Sequence, residues 1–219
     1  MNLDFNQIIY NAAVYAIPVL FAITLHEVAH GWVANKLGDS TARMLGRLSL
    51  NPIRHVDPIG TILVPFILLL LPGGLLFGWA KPVPVNQNNL NNPRRDMAIV
   101  AVAGPTANLL MAIGWAIFMK LSLAVISDPA ILTGFHDMAK AGIIFNLILM
   151  IFNLLPLPPL DGGRILSNLL PPNLSDIVDK IEPYGFFIII GLIYFGAFEM
   201  IIVPALNFFI GIINQVFFM

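Results

Sequence analysis

The chain contains no cysteine and few charged residues. Without thiols, it can form no disulfide bond, thiolate metal site or cysteine nucleophile, so any metal must be bound by imidazole and carboxylate groups. Charged residues are 11% of the 219 residues, against about 25% in an average soluble domain. Hydrophobic residues are 58%. We therefore expect one integral membrane domain rather than a water-soluble fold.

The charge balance gives no sign of a polyanionic partner. The formal net charge is -1, and the basic residues are scattered in loops rather than gathered along one face. We therefore expect no nucleic-acid partner. Residues 1–7 include Asp4 but no Lys or Arg, unlike the basic start of a signal peptide, so we expect the first apolar stretch to remain in the protein.

Apolar stretches long enough to cross a membrane recur along the chain, since a spanning helix needs about 20 residues. Glycine and proline interrupt several of them, and membrane helices tolerate such residues where neighbouring helices satisfy the backbone. The sequence predicts an all-α polytopic membrane protein, a helical bundle of about four to six membrane segments with a small extended or re-entrant element. We expect a single domain over residues 1–219, with a core at 8–170 and accessory membrane segments at 184–219. The apolar stretches are 8–34, 97–126, 141–155 and 184–219, the last being one span plus a re-entrant piece or two short spans.

Residues 59–79 are apolar but broken by Pro65, Pro72, Gly73 and Gly74, which favours a hairpin over a single span. Short basic loops lie preferentially on the cytoplasmic face. Basic residues on both sides of the segment therefore place both of its ends on that face. They are Lys36, Arg43, Arg47 and Arg54 before it and Lys81, Arg94 and Arg95 after it.

Two short runs near this segment have an extended pattern. The runs are residues 40–50 and 80–86, and Pro82 and Pro84 alternate with valines in the second. This pattern is typical of edge strands.

His26, Glu27 and His30 form an H-E-x-x-H motif within the first apolar stretch. Positions i and i+4 share a helix face, so the two imidazoles can bind one metal ion, while Glu27 lies beside them as a general base. The pattern is short enough to arise by chance, and buried histidines also serve as hydrogen-bonding residues. Ionisable residues inside a membrane helix are costly and usually mark a functional site, which favours a zinc site.

A catalytic zinc site usually has three protein ligands, so a third must come from elsewhere in the chain. We favour Asp161, which lies between prolines and glycines in N-L-L-P-L-P-P-L-D-G-G-R, residues 153–164. The alternative is that Asp161 caps a helix that begins at Gly162. The other candidates are His55, Asp57, His136, Asp137 and Glu199.

Three motifs in chain order resemble the site-2 protease family of intramembrane zinc metalloproteases: H-E-V-A-H at 26–30, A-G-P-T-A-N at 103–108 and N-L-L-P-L-P-P-L-D-G-G at 153–163. Segments 54–61 and 77–86 are similar to the short branch of that family, which lacks a PDZ domain. The resemblance implies one Zn²⁺ ion bound by His26, His30 and Asp161, with Glu27 as the catalytic acid/base and Asn153 stabilising the oxyanion.

Several polar residues allow two interpretations. A side-chain amide such as that of Asn153 can lower a barrier by about 2.7–4 kcal/mol when it faces a developing negative charge, but a buried Asn can equally join two helices. We expect Asn108 to serve packing or positioning. His55 is either a supplementary metal or substrate contact or a solvated loop residue, and we expect His136 and Asp137 to lie in a loop.

The predicted function is hydrolysis of a peptide bond within or near a transmembrane segment of a membrane protein, in the bacterial plasma membrane with the active site towards the cytoplasm. Residues 80–86 would pair with the unwound substrate as an added strand. By resemblance, the substrates include membrane-anchored regulators and signal-peptide remnants. The alternatives are a metal transporter and an inactive homologue that binds membrane proteins. Glu27 argues against the transporter, which needs no general base, and the presence of all five site residues argues against the inactive homologue.

Overall fold

The computed structural model describes residues 5–64, 67 and 78–218, and these residues form helices and loops, with no strand among them. The predicted all-α fold is confirmed. The α-helices are α1 (Phe5–Lys36), α2 (Thr41–Met44), α3 (Pro93–Val125), α4 (Pro129–Asn153), α5 (Asp161–Leu169), α6 (Pro172–Tyr194) and α7 (Ala197–Phe217); Pro52–His55 and Gln87–Asn89 are 3-10 turns and Pro58–Leu63 is a π-helix.

Four helices within the described ranges are long and apolar enough to cross a membrane. They are α1 from Val14 onward, α3, α4, and α7 from Glu199 onward. This number agrees with the predicted range of membrane segments. Helix α6 is long but carries several charges in its first half, which are Asp176, Asp179, Lys180 and Glu182.

Helices α1, α3 and α4 pack against one another and form the centre of the bundle. Ala112 and Ala116 of α3 are fully buried against Leu147 of α4. Small residues at such positions let two helix backbones approach closely, which drives helix packing in lipid. Helix α5 packs on α3, α6 packs on α5, and α7 covers α4.

Helix α1 ends at a glycine that brings its last turn against a later loop. Gly38 has φ 113, a conformation that side chains disfavour and that commonly terminates helices. The Leu37 carbonyl beside it accepts a hydrogen bond from the Asn91 backbone N–H at 2.9 Å. The end of α1 is therefore joined to the loop that precedes α3.

The predicted edge strands are not found. Residues 41–44 form helix α2, and the run at 80–86 is irregular without strand pairing in the part of the chain described. For the first run the prediction was wrong because Asp39 stabilises a helical turn, accepting hydrogen bonds from the backbone N–H and the hydroxyl of Thr41.

The third apolar stretch forms a longer helix than expected. Helix α4 begins at Pro129, with Asp128 as its N-cap accepting hydrogen bonds from the backbone N–H groups of Ala130 and Ile131. The prediction that His136 and Asp137 lie in a loop was therefore wrong. Their polarity is accommodated inside the helix, where Asp137 accepts a 2.5 Å hydrogen bond from the hydroxyl of Tyr10.

Most of the segment at 59–79 lies outside the described residues, but its two ends are described and lie together. The backbone N–H of Trp79 donates to the Gly60 carbonyl at 3.1 Å, and that of Lys81 donates to the His55 carbonyl at 2.9 Å. The chain therefore leaves and returns at the same place, as a hairpin requires.

The C-terminal stretch at 184–219 is divided between the end of α6 and α7, of which α7 is long and apolar enough to span. Helices α6 and α7 are separated at Phe195 and Gly196, and Gly196 has φ 71. The left-handed conformation, which glycine adopts without strain, turns the chain between them.

Candidate metal centre

The side chains of His26, His30 and Asp161 converge in the interior of the bundle. Nε2 of each histidine lies 3.2 Å from Oδ2 of Asp161, and the two Nε2 atoms are 3.1 Å apart. All three residues are buried. Among the described residues, this is the group of His and acidic side chains close enough to share a metal ion.

The other ring nitrogens fix how both histidines are protonated. Nδ1 of His30 lies 2.7 Å from the Val100 carbonyl, which can only accept, so this nitrogen carries the proton. Nδ1 of His26 lies 2.6 Å from Oδ1 of Asn108 and likewise donates. In the neutral imidazoles, both Nε2 atoms therefore present lone pairs to the carboxylate of Asp161.

Three acceptor atoms facing one another at such distances repel unless a proton or a metal cation lies between them. Oδ2 of Asp161 is buried and makes no hydrogen bond, although it is next to both imidazoles. Two imidazole nitrogens and one carboxylate oxygen are a typical ligand set for catalytic zinc. The residues therefore fit a zinc ion.

Helix α3 leaves room for the imidazoles because it has a glycine where they contact it. A methyl group at Gly104 would lie 2.5 Å from Cε1 of His26 and closer still to Nε2 of His30. The A-G-P motif thus provides the space that the two rings occupy.

Asp161 is the first residue of α5, and Leu160 precedes the helix as its N-cap. The carboxylate of Asp161 lies in the first turn, where helix N-termini favour negative charge. Its Oδ2 is nonetheless directed at the histidines. The alternative in which Asp161 caps a helix that begins at Gly162 does not describe this geometry.

Glu27 lies beside the cluster and is held by the backbone of a distant loop. Its Oε2 accepts a 2.7 Å hydrogen bond from the N–H of Val83. The side chain of Val83 is buried close to Gly31, where an added methyl group would lie 2.7 Å from its Cγ1. The irregular segment at 80–86 therefore contacts the helix that carries the motif.

Both ends of this segment are anchored. Arg47 donates a 2.8 Å hydrogen bond to the carbonyl of Lys81. Asp39, which is fully buried, accepts hydrogen bonds from Thr41, Asn86 and Asn89. Burial alone would raise the pKa of Asp39, but these hydrogen bonds outweigh it and hold the pKa below its usual range.

Asn153, the last residue of α4, is half-buried and donates a 3.0 Å hydrogen bond to the Leu149 carbonyl. It makes no hydrogen bond to the three clustered side chains but lines the same cavity of about 120 Å³. The further residues that line this cavity are His26, Glu27, His30, Pro82, Val83, Val85, Met97, Val100, Ala101, Pro159, Asp161 and Arg164.

The other candidate ligands lie elsewhere. His55 is buried, and its Nε2 donates to the Ser49 carbonyl at 2.8 Å. Asp57 caps the π-helix, accepting from the N–H groups of Ile59 and Gly60. Glu199 is exposed in the first turn of α7. Of the candidates for a third ligand, Asp161 is the one brought to the histidines.

Two contacts at the site were not anticipated from the sequence. The Val83 N–H that holds Glu27 comes from a segment expected to bind substrate. Asn146 is fully buried in α4 and hydrogen-bonds to Asn108. An amide in the middle of the apolar run of α4 was the signal for it, since polar groups inside a membrane helix are costly.

Comparison with known proteins identifies relatives. The family model described as Peptidase family M50 matches residues 118–195, which include Asn153 and Asp161. A Bacillus subtilis protein named as a zinc metalloprotease, YwhC, is 41% identical over 87% of this chain and 84% of its own length. No solved structure matches the chain significantly.

More distant relatives have similar names. A Mycolicibacterium smegmatis protein named as a zinc metalloprotease, Rip2, is 30% identical over 86% of this chain and 66% of its own length. The Salmonella typhimurium regulator of sigma-E protease, RseP, is 31% identical over 52% of this chain and 26% of its own length. Because the likeness to YwhC extends over most of both chains, the protein belongs to Peptidase family M50, the site-2 protease family, and is a zinc-dependent metalloprotease integral to the membrane.

Proposed function

We propose that the protein cleaves a peptide bond within or near a transmembrane segment of a membrane-protein substrate, using His26, His30 and Asp161 to bind zinc. The observation that supports this proposal is the buried cluster of three acceptor atoms, to which a helix able to cross the membrane contributes both histidines and the neighbouring carboxylate of Glu27.

We assign Glu27 the role of general base, because it lines the same cavity as the three clustered side chains. A zinc ion held by His26, His30 and Asp161 would supply the Lewis acidity that activates a water molecule for attack on the scissile carbonyl. Glu27 takes a proton from the attacking water and passes it to the leaving nitrogen. The hydrogen bond from Val83 holds the carboxylate of Glu27 in one orientation, which lowers the entropy cost of reaching the reactive geometry.

Asn153 donates an amide hydrogen to the oxygen on which negative charge develops. Its amide group has two hydrogens, and one of them bonds the Leu149 carbonyl. The second is available to the substrate. Its position in the wall of the cavity that contains the ligands and Glu27 supports this role.

A larger cavity of about 610 Å³ adjoins the metal centre. Pro82, Val83, Val85, Met97 and Arg164 line both cavities. A helical substrate must unwind before its peptide bonds can be attacked, and an unwound strand can lie along the irregular segment at 80–86. We therefore assign the larger cavity to the extended part of the substrate next to the scissile bond.

The substrates we propose are membrane-anchored regulators and signal-peptide remnants in the bacterial plasma membrane. The name of the relative RseP, regulator of sigma-E protease, indicates a regulatory role for that protein and supports regulators as substrates. We place the active site towards the cytoplasm, because the metal centre lies near the end of α1 that carries Lys36 and near the start of α3, which carries Arg94 and Arg95.

The test of the proposed chemistry compares wild type, Glu27→Gln and Glu199→Gln, each purified in detergent with its zinc content measured. Glu199 is exposed and does not line the cavity that contains the three clustered side chains, so its variant makes the same chemical change outside the site. We expect all three proteins to bind one zinc ion. Cleavage of a transmembrane peptide should fall by about 10²–10⁴-fold in Glu27→Gln alone. Full activity of Glu27→Gln, or absence of zinc from wild type, would contradict the proposal.

The orientation is tested by single cysteines at Lys36 and Lys120 in the native membrane, since the chain contains no other thiol. A membrane-impermeant maleimide applied from outside should label position 120 and leave position 36 unlabelled until the membrane is opened. The reverse pattern would place the active site on the outer side.

A further inference from the structure

A chain of amide groups runs through the bundle behind the metal centre. Asn108 of α3 and Asn146 of α4 are both fully buried. Burying a polar side chain in an apolar interior is unfavourable unless its hydrogen bonds are made. An apolar side chain of similar size would fill the same space without that cost. Both residues therefore invite a functional explanation.

The direction of each hydrogen bond between the two amides follows from the backbone carbonyl groups of Gly142 and Ala22, which can only accept. Nδ2 of Asn146 donates to the Gly142 carbonyl at 2.8 Å, so Oδ1 of Asn146 faces Asn108. Nδ2 of Asn108 donates to that oxygen at 3.0 Å. It also donates to the Ala22 carbonyl at 3.3 Å.

This arrangement leaves Oδ1 of Asn108 as an acceptor directed at Nδ1 of His26, 2.6 Å away. If the amide of Asn108 rotated by half a turn, its NH₂ group would face the histidine and its oxygen would face the oxygen of Asn146. Asn146 and the Ala22 carbonyl together prevent that rotation, because both accept from the same NH₂ group. Through Asn108, they determine which nitrogen of His26 carries the proton.

The two motif histidines differ in this respect. His30 donates to the backbone carbonyl of Val100, a group that no side-chain substitution removes. His26 has no such backbone partner at Nδ1 and depends on the amide of Asn108. A side-chain substitution can therefore disturb His26 and leave His30 in place.

We propose that Asn108 and Asn146 are positioning residues that hold His26 with its Nε2 lone pair directed at the metal position. The proposal rests on the proposed role of His26 as a zinc ligand. Partners of ligating histidines typically change metal affinity by about 10–100-fold when they are removed. Asn146 acts on His26 through Asn108 and makes no hydrogen bond to His26 itself, so its loss should have a smaller effect than the loss of Asn108.

The test compares Asn108→Leu with Asn108→Asp, two side chains close in size to Asn. Leu retains the packing and removes the acceptor, whereas Asp retains an acceptor for His26 but introduces a charge into the interior. If Asn108 only fills space, Leu should be tolerated and Asp should be harmful. If it positions His26, zinc affinity should fall about 10–100-fold in Asn108→Leu and recover at least in part in Asn108→Asp.

Zinc affinity is measured by competition with a chelator on proteins that all carry Glu27→Gln, so the result does not depend on activity. The visible spectrum of the cobalt-substituted proteins reports whether the imidazole of His26 still binds. Thr106→Ala is the matched control on α3, because Thr106 is exposed and bonds within its own helix to the Val102 carbonyl at 2.9 Å. This control should bind zinc as the parent does.

Asn146→Leu should weaken zinc binding in the presence of Asn108 and have no further effect once Asn108 is Leu, because both changes act on the same contact. Equal zinc affinity of Asn108→Leu and the parent would overturn the positioning role. So would additive effects of the two substitutions. If the parent itself bound no zinc, the proposed function would fail, and that result is distinct from either of these.

Discussion

The backbone N–H of Val83 donates a 2.7 Å hydrogen bond to Oε2 of Glu27, although the two residues are 56 positions apart in the chain. The contact joins the carboxylate of the H-E-x-x-H motif to the irregular segment at 80–86. It makes the orientation of Glu27 depend on where that segment lies. The segment is held in turn by Arg47 and Asp39, which bind its carbonyl and N–H groups.

Replacing Val83 by proline removes this donor with little change to the backbone. Val83 precedes Pro84, so it is already restricted to the extended conformations that proline tolerates. We expect Val83→Pro to bind zinc normally and to cleave a transmembrane peptide about 10–100-fold more slowly, because the carboxylate of Glu27 loses its fixed orientation. The measurement is kcat with zinc content determined on the same sample.

Val83→Ala is the control for the proline variant, because it keeps the N–H and shortens only the buried side chain. Its kcat should stay within a fewfold of wild type even if its thermal unfolding temperature falls. Equal losses of kcat in the two variants would show that packing against Gly31, rather than the hydrogen bond to Glu27, is what matters.

A methyl group at Gly104 tests how closely α3 approaches the two histidines. In Gly104→Ala the added carbon would overlap the imidazoles of His26 and His30, so we expect zinc affinity to fall by at least about tenfold, as for other disturbances of ligand orientation. Gly114→Ala on the same helix is the matched control, because nothing lies within 4 Å of its added carbon. Both substitutions raise helix propensity equally, so the difference between them isolates the contact. Equal zinc affinities of Gly104→Ala and Gly114→Ala would disprove the close approach of α3 to the two histidines.

The convergence of His26, His30 and Asp161 was predictable because its signals are local or carried by motifs. The spacing of His26 and His30 places both on one helix face whatever the rest of the fold does, and Asp161 lies in a stretch of prolines and glycines that restricts the backbone around it. The membrane helices were predictable because a run of apolar residues has few other stable locations. Their bounds were less so, as α4 shows by including His136 and Asp137.

The contacts that orient the ligands were not predictable, because they depend on how distant elements pack. Which N–H group reaches Glu27 is decided by the anchoring of the segment at 80–86, and a backbone group leaves no trace in the sequence. Asn108 lies in a recognisable motif, but the direction of its acceptor is set by the Ala22 carbonyl and by Asn146, 38 positions further along the chain. The sequence shows that a side chain is polar, but it does not show which group that side chain faces.

Helix α6 approaches the loop before Asp161 so closely that only glycine fits at residue 185. In Gly185→Ala the added carbon would overlap the carbonyl of Pro158, a backbone atom that can move only by displacing the loop that leads to Asp161. We expect the free energy of unfolding to fall by about 1–3 kcal/mol, as overpacking typically costs, and chelator competition to show weaker zinc binding. Gly191→Ala, on the same helix with open space around it, should be neutral or slightly stabilising because alanine favours helices. Unchanged zinc affinity in Gly185→Ala would mean that the loop can shift without moving the carboxylate of Asp161.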